Sequence, residues 1–249
     1  MGSSTRFGKP DEIVASQDSM AGGPSIPAGW NVLVRHYEEC MAQHGATPRG
    51  VDWPNGDDLA ARFGVMLEVL AETGERPRLL DLGCGPGLLL DYLAATSGVD
   101  RIRYQGIDLS SAMVDAARER WPEHEFSCRD ILSAPLPEQS VDVVIMNGVL
   151  TERVSLSVPS MTALAQALVA AAFSVARVGI AFNVMSAHVD RERDDLFHWP
   201  FDALAGFLER EVSHNYTFRA DYGLYEYTCF VRRQPHRPSA GPPETWWKR

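Results

Sequence analysis

The sequence predicts a doubly wound α/β sheet, and three observations predict it. Short apolar runs alternate with segments whose apolar residues recur at helical spacing. One run, residues 141–146, is apolar almost throughout, and the last third of the chain carries a hairpin signal at Asp221-Tyr222-Gly223. Alternating strand and helix patterns build βαβ units, and a continuous apolar run suits a parallel strand buried on both faces. At 249 residues the chain can bury a full core as one domain, with or without a small subdomain.

The elements follow in order. Residues 30–44 carry Val32, Tyr37 and Met41 at helical spacing, with Val34 fitting less well, and 57–70 carry Leu59, Phe63, Met66, Leu67 and Leu70. A short apolar strand at 78–82 runs into a glycine-rich turn and an apolar helix at 88–95. A strand at 101–107 precedes a helix at 111–121, opened by Ser110 as N-cap. A short strand at 126–128 and the buried strand at 141–146 come next. A helix at 160–173, capped by Ser160 after Pro159, leads to a strand at 178–183. A polar loop and a helix at 201–210 precede two strands, 216–220 and 224–232, joined by the hairpin turn. In this second strand Tyr225 and Tyr227 share one face. The expected organisation is a mobile leader at 1–29, a helical segment at 30–75, a core at 76–233 and a Pro-rich tail at 234–249, with no internal repeat.

Composition narrows the partners. There are 23 Lys and Arg against 33 Asp and Glu, a formal charge of −10. Nucleic acids and anionic membranes are bound through clustered basic residues, and no such cluster is present, so both are disfavoured. The longest apolar stretches, such as 167–173, fall short of the ~20 residues of a membrane span, and the N-terminus has no signal-peptide pattern. The four cysteines form no CxxC pair and suggest neither a zinc knuckle nor a disulfide framework. The expectation is a cytoplasmic protein that handles something small. Whether it is a monomer or a homodimer is left open.

The chemistry concentrates at Leu79-Leu80-Asp81-Leu82-Gly83-Cys84-Gly85-Pro86-Gly87. Gly83, Gly85 and Gly87 sit between strand and helix, where backbone passes close to a ligand and the helix N-terminus offers free N–H groups. Asp108 follows 21 residues after Gly87, at the end of the next strand, and suits a ribose diol. The spacing is GxGxG rather than the GxGxxG that admits a pyrophosphate. Asp81 would repel a phosphate and attract an ammonium, while Asp130, after the third strand, suits an adenine amino group. An adenosine bearing a positive group fits better than a dinucleotide. Cys84 reads as a small buried spacer, with nothing basic beside it to activate the thiol.

These residues, with Arg129-Asp130-Ile131 and the strand that ends in Asn147-Gly148, resemble the class I S-adenosylmethionine-dependent methyltransferases over about residues 78–232. The resemblance implies a Rossmann-like, seven-stranded sheet whose last strand inserts antiparallel, under an N-terminal helical lid. It implies that Asp81 and the turn Gly83, Gly85, Gly87 hold the methionine part of S-adenosylmethionine. Asp108 would take the ribose hydroxyls, with Leu109 and Met113 near the adenine and Asp130 and Ile131 at its edge. Asn147 and Gly148 would reach the methionine end, and the helices that carry Tyr37 and Arg62 would form the lid. Phrases at 44–53, 194–198 and 221–228 look like a bacterial branch of these enzymes.

Acceptors in this topology bind beyond the C-terminal strand ends, where the loops are 147–153 and 185–198. The second holds His188, Asp190, Asp194, Asp195 and His198, and His188 and His198 are the candidate bases, since imidazole titrates near neutrality. Tyr37, Asp52 and Trp53 are candidates for lid and acceptor contacts. No metal is expected, because Asn147 stands where metal-dependent relatives place an acidic residue. The reading is methyl transfer to a hydroxyl or amine of a small polar metabolite, such as a sugar or specialised metabolite. A nucleotide-dependent oxidoreductase and a non-catalytic adenosyl-cofactor-binding protein remain as alternatives.

Overall fold

Among the described residues, seven strands form one mixed sheet. The structure is a computed structural model and describes Met1 and residues 30–235, so the expected leader and most of the tail, with Trp246 and Trp247, lie outside the described residues. The strands are β1 Arg78–Leu82, β2 Arg103–Asp108, β3 Glu125–Cys128, β4 Val141–Leu150, β5 Ala176–Met185, β6 Tyr216–Arg219 and β7 Glu226–Arg232. The helices are α1 Asn31–His44, α2 Gly56–Met66, α3 Leu88–Ala95, α4 Ser111–Arg120, α5 Val158–Val175 and α6 Phe201–Glu211. The strand order is β3-β2-β1-β4-β5-β7-β6, with β1 to β5 paired in parallel and β7 inserted antiparallel between β5 and β6.

Alternation along the central strands divides the core between two faces. Leu80, Leu82, Val144 and Met146 pack with α5 and α6. Leu79, Val143 and Ile145 pack with α2, α3 and α4. The strand order reverses between β1 and β4, so the loops after these strands diverge and open a crevice at their C-terminal ends.

Several boundaries differ from expectation for identifiable reasons. Strand β4 runs four residues beyond Met146, to Leu150, because Leu150 pairs with Val184 across a register shift that follows Met146. That irregularity holds Asn147 and Gly148, which the apolar pattern alone places after the strand. The expected helix at 57–70 ends at Met66 and tightens into a 3-10 turn, Leu67–Glu72. Helix α5 is capped by Ser157, whose side chain accepts from the backbone N of Ser160, so the cap falls three residues earlier than Ser160. Tyr225 lies before β7 and is exposed, whereas Tyr227 is fully buried, so the two do not share a strand face. At 18 residues α5 has the length and apolarity of a membrane span, and its Met161, Leu164, Ala165, Leu168, Val169 and Ala172 are buried in the core.

Candidate active site

The crevice is a cavity of about 1200 Å³ including its mouth. Its floor is the turn after β1. The backbone N of Gly83 and of Cys84 donate to the Ile107 carbonyl at 2.7 and 3.0 Å, which locks the turn to β2. Gly83 adopts φ 81°, and a Cβ there would come within 2.3 Å of Val149 Cγ2, so only glycine fits.

Asp108 stands where β2 ends. Its Oδ2 accepts from Gly85 N and its Oδ1 from Ser110 N, each at 2.9 Å. Each oxygen keeps a further lone pair for a ligand hydroxyl. Burial raises the Asp108 carboxyl above its usual range, against the backbone N–H groups that lower it. Asp81 accepts from the Tyr104 hydroxyl at 2.8 Å. Burial pushes it up to about 7, with the Tyr104 hydrogen bond opposing and Asp108 adding to the rise. Among the described residues these carboxylates have no cationic partner, a deficit that a cationic ligand relieves.

Two buried acceptors in the cavity wall have no partner among the described residues: Asp130 Oδ2 and Asn147 Oδ1. Asp130 Oδ1 accepts from Leu132 N at 2.9 Å, so one oxygen anchors the loop and the other is left for a donor. An unmade buried hydrogen bond costs ~1–3 kcal/mol, which makes such atoms strong indicators of a ligand. Asp130 for an adenine amino group, Asp108 for a ribose diol and Asp81 for an ammonium are the donor complement of S-adenosylmethionine, and the residues present fit it.

The roof comes from α1. Tyr37 donates to the Gly148 carbonyl at 3.1 Å, and burial together with Glu152 and Asp52 raises its pKa. Ser110, the N-cap of α4, donates to Glu38 of α1 at 2.6 Å, joining roof to floor. Gly148 N donates to Asn183 Oδ1 at 2.8 Å. Asn183 in turn donates to Glu226, which receives Arg62 Nε on both oxygens at 2.9 Å.

Of the residues singled out in the sequence, Tyr37, Asp81, Gly83, Gly85, Asp108, Leu109, Met113, Asp130, Ile131, Asn147 and Gly148 line the cavity. Four do not. Gly87 is the N-cap of α3 at φ 83°, with Trp121 and Phe126 packed where its side chain would be. Arg62 is buried in its pair with Glu226, its guanidinium 3.8 Å from the centre of the Trp53 ring, so it braces the lid from behind. His188 is exposed and stacks on Phe201, with ring centres 5.5 Å apart. His198 is held by the Ser186 carbonyl at Nδ1 (2.6 Å) and by Arg193 N at Nε2 (3.3 Å), so both ring nitrogens are engaged away from the cavity. The expected bases therefore do not face the site, because Phe197 and Trp199 turn into the core and fix the loop that carries His198.

Sequence reasoning passed over Glu152, which lines the cavity on the flagged 147–153 loop. Its carboxyl rises to about 7, first by burial and then by Asp52, with His36 opposing. Trp53 is in the wall, while Asp52 lies behind it at 2.8 Å from His36 Nε2, with Cys40 Sγ 3.9 Å from the same nitrogen.

The fold and this site define an α/β domain that binds an adenosyl cofactor at the reversal point of its sheet. A methyltransferase domain model matches residues 79–179. Rv1506c of Mycobacterium tuberculosis, a protein named for methyltransferase activity, is 33% identical over 155 residues, 61% of this chain and 91% of that protein. The trans-aconitate 2-methyltransferase of Paracidovorax citrulli is 42% identical over 71 residues, 28% of this chain and 26% of that enzyme, so the match spans about a quarter of its length. Among solved structures, the magnesium protoporphyrin IX methyltransferase of Synechocystis with bound S-adenosylmethionine superposes with a TM-score of 0.58 at 14% identity, over 85% of this chain and all of that one. A Burkholderia thailandensis 1,6-didemethyltoxoflavin-N1-methyltransferase gives 0.54 at 17% identity, over 84% and 92%. The chain belongs to the class I S-adenosylmethionine-dependent methyltransferases.

Proposed function

We propose that this enzyme methylates a hydroxyl or amine of a small molecule in the cytoplasm. The observation that carries this reading is that one continuous cavity reaches from the Gly83 turn and Asp108 to Glu152. The Burkholderia enzyme, similar in fold, is by its name an N1-methyltransferase of 1,6-didemethyltoxoflavin, which agrees with this class of acceptor. Much of the remaining wall is Trp30, Leu33, Val34, Leu164 and Leu168. This favours an acceptor with an apolar body among the small metabolites expected from the sequence. Macromolecular acceptors are disfavoured by the net charge of −10 and by the enclosure of the site beneath α1.

Bound S-adenosylmethionine supplies a methyl group already activated on a sulfonium. The protein's work is then mostly positioning and exclusion of water. Asp108 and Asp130 hold the nucleoside end, Asp81 and the Gly83 turn hold the amino-acid end, and Tyr37 and Trp53 close the roof. Asn147, kept in place through Gly148 and Asn183, orients the groups between them.

The reading is tested by calorimetry with S-adenosylhomocysteine, followed by incubation with methyl-labelled cofactor and metabolite extract. Micromolar binding and label in a small product are expected. Failure to bind S-adenosylhomocysteine, or label recovered only in macromolecules, overturns it.

A further inference from the structure

Glu152 makes no side-chain hydrogen bond or ion pair among the described residues, although it lines the cavity. Every other cavity carboxylate has a hydrogen-bonding role in the floor: Asp81 with Tyr104, Asp108 with Gly85 and Ser110, Asp130 with Leu132. Asp108 and Asp130 have backbone donors that fix them at the nucleoside end. Glu152 instead lies on the β4 exit loop, bridged through its backbone to Leu196. That backbone pairing fixes its position and leaves the carboxylate free.

The surroundings are acidic. From α1, Tyr37, Cys40 and His36 face this region; from the 3-10 turn after α1 comes Asp52; from the loop before α6 come Asp195 and Arg193. His36 is committed to Asp52, and Arg193 pairs with Asp195 on both side-chain oxygens. The two nearby groups that carry or can carry positive charge are thus already matched. Among the described residues that line the cavity, Asp81, Asp108 and Asp130 belong to the cofactor floor, Arg129 is the guanidinium, and Glu152 is the carboxylate left for the acceptor. Such a cavity repels anionic acceptors, offers a neutral hydroxyl no charge complement, and attracts a cation.

We propose that the acceptor is an amine on an apolar body, that it enters as its ammonium form against Glu152, and that the Glu152 carboxylate receives its proton. This rests on the reading of the site as a small-molecule methyltransferase and narrows its acceptor class. One N–H proton of the ammonium passes to Glu152. The freed nitrogen lone pair forms the N–CH3 bond as the S–CH3 bond breaks, with that pair remaining on sulfur. The positive charge moves from sulfur to nitrogen, and Glu152 later returns its proton to water. A carboxyl near neutrality suits this exchange, since it is partly ionised before the ammonium binds and readily reprotonated by it.

The test uses the full chain saturated with S-adenosylhomocysteine and a matched pair of probes, 2-phenylethylamine and 2-phenylethanol. Calorimetry is expected to show the amine bound at least tenfold more tightly than the alcohol, with that preference lost in Glu152→Gln and kept in Glu152→Asp. Carbon-detected NMR of 13C-glutamate-labelled protein without cofactor is expected to show Glu152 titrating near neutrality and shifting lower when the amine is added. Equal binding of the two probes, no binding of the amine, or an amine preference that survives Glu152→Gln overturns the amine assignment. Saturation with S-adenosylhomocysteine is measured first in the same experiment. Failure at that step strikes the methyltransferase site itself, whereas failure at the probe step strikes the acceptor class alone.

Discussion

Arg62 and Glu226, 164 residues apart, meet in a buried ion pair in which Nε reaches both carboxylate oxygens at 2.9 Å. The pair is the outer end of a chain of hydrogen bonds that runs through Asn183 to the backbone N of Gly148. It therefore connects α2 and β7 to the loop that presents Asn147 and Glu152 to the cavity. Burial raises the Glu226 carboxyl, while Arg62, Asn183 and Tyr222 pull it down.

Removing one member of a buried pair leaves the other uncompensated, at a cost of ~3–5 kcal/mol. Glu226→Ala is expected to lose that much stability in urea unfolding, and Arg62→Met combined with Glu226→Gln is expected to recover part of it. A double-mutant cycle in which the two single losses simply add would show that the pair is not coupled.

Asp108→Ala removes a carboxylate that also ties Gly85 and Ser110 in place. Two charge-assisted hydrogen bonds to the ribose are worth ~1.5–3 kcal/mol each, so S-adenosylhomocysteine affinity is expected to drop at least a hundredfold by calorimetry. Unchanged affinity would place the nucleoside elsewhere.

Asp81 sets a pH dependence with a definite sign. Its folded pKa of about 7 lies above the unfolded value near 3.8, so the native state holds the extra proton between those limits. Its contribution to stability is full below about pH 4 and is lost as pH rises toward 7, at up to about 1.4 kcal/mol per pH unit. Affinity for the cationic cofactor runs the other way, because the ionised form is the one that binds an ammonium. Cofactor affinity is expected to rise between pH 6 and 7 and level off above, and to lose this slope in Asp81→Asn. A slope that persists in the variant assigns it to another group.

Gly83→Ala forces a Cβ to 2.3 Å from Val149 in a left-handed backbone. A loss of ~1–3 kcal/mol in thermal unfolding is expected, with weaker cofactor binding. Wild-type stability would mean that the turn relaxes freely.

His188→Ala and His198→Ala are expected to leave the pH profile of turnover unchanged. His198→Ala should cost about 1 kcal/mol of stability through its two lost hydrogen bonds. An altered acidic limb in either variant would restore a histidine base.

Most of the cavity floor was legible in the sequence, because its residues follow strand ends at short, regular intervals. Asp81, Gly83, Gly85, Asp108 and Asp130 each occupy a place that a βαβ unit turns toward one crevice. The acceptor side was not legible in the same way. His188 and His198 looked functional because polar residues crowd that loop. Residue type and crowding do not reveal that Ser186 and Arg193 occupy the ring nitrogens of His198, or that His188 faces outward on Phe201. Gly87 shared the motif of its neighbours, yet its role is to cap α3 and leave room for Trp121.

The sequence by itself determined the alternation of strands and helices, the terminal hairpin, the glycine turn and the carboxylates at the strand ends. Those features depend on periodicity and on contacts between neighbours in the chain. Only the tertiary structure decided that β4 runs on through a bulge to Leu150, that Arg62 is spent on Glu226, and that Glu152 faces the cavity. Each of these depends on which distant group is brought alongside, and burial, with Asp52 adding to it and His36 opposing, is what raises the Glu152 carboxyl to about 7.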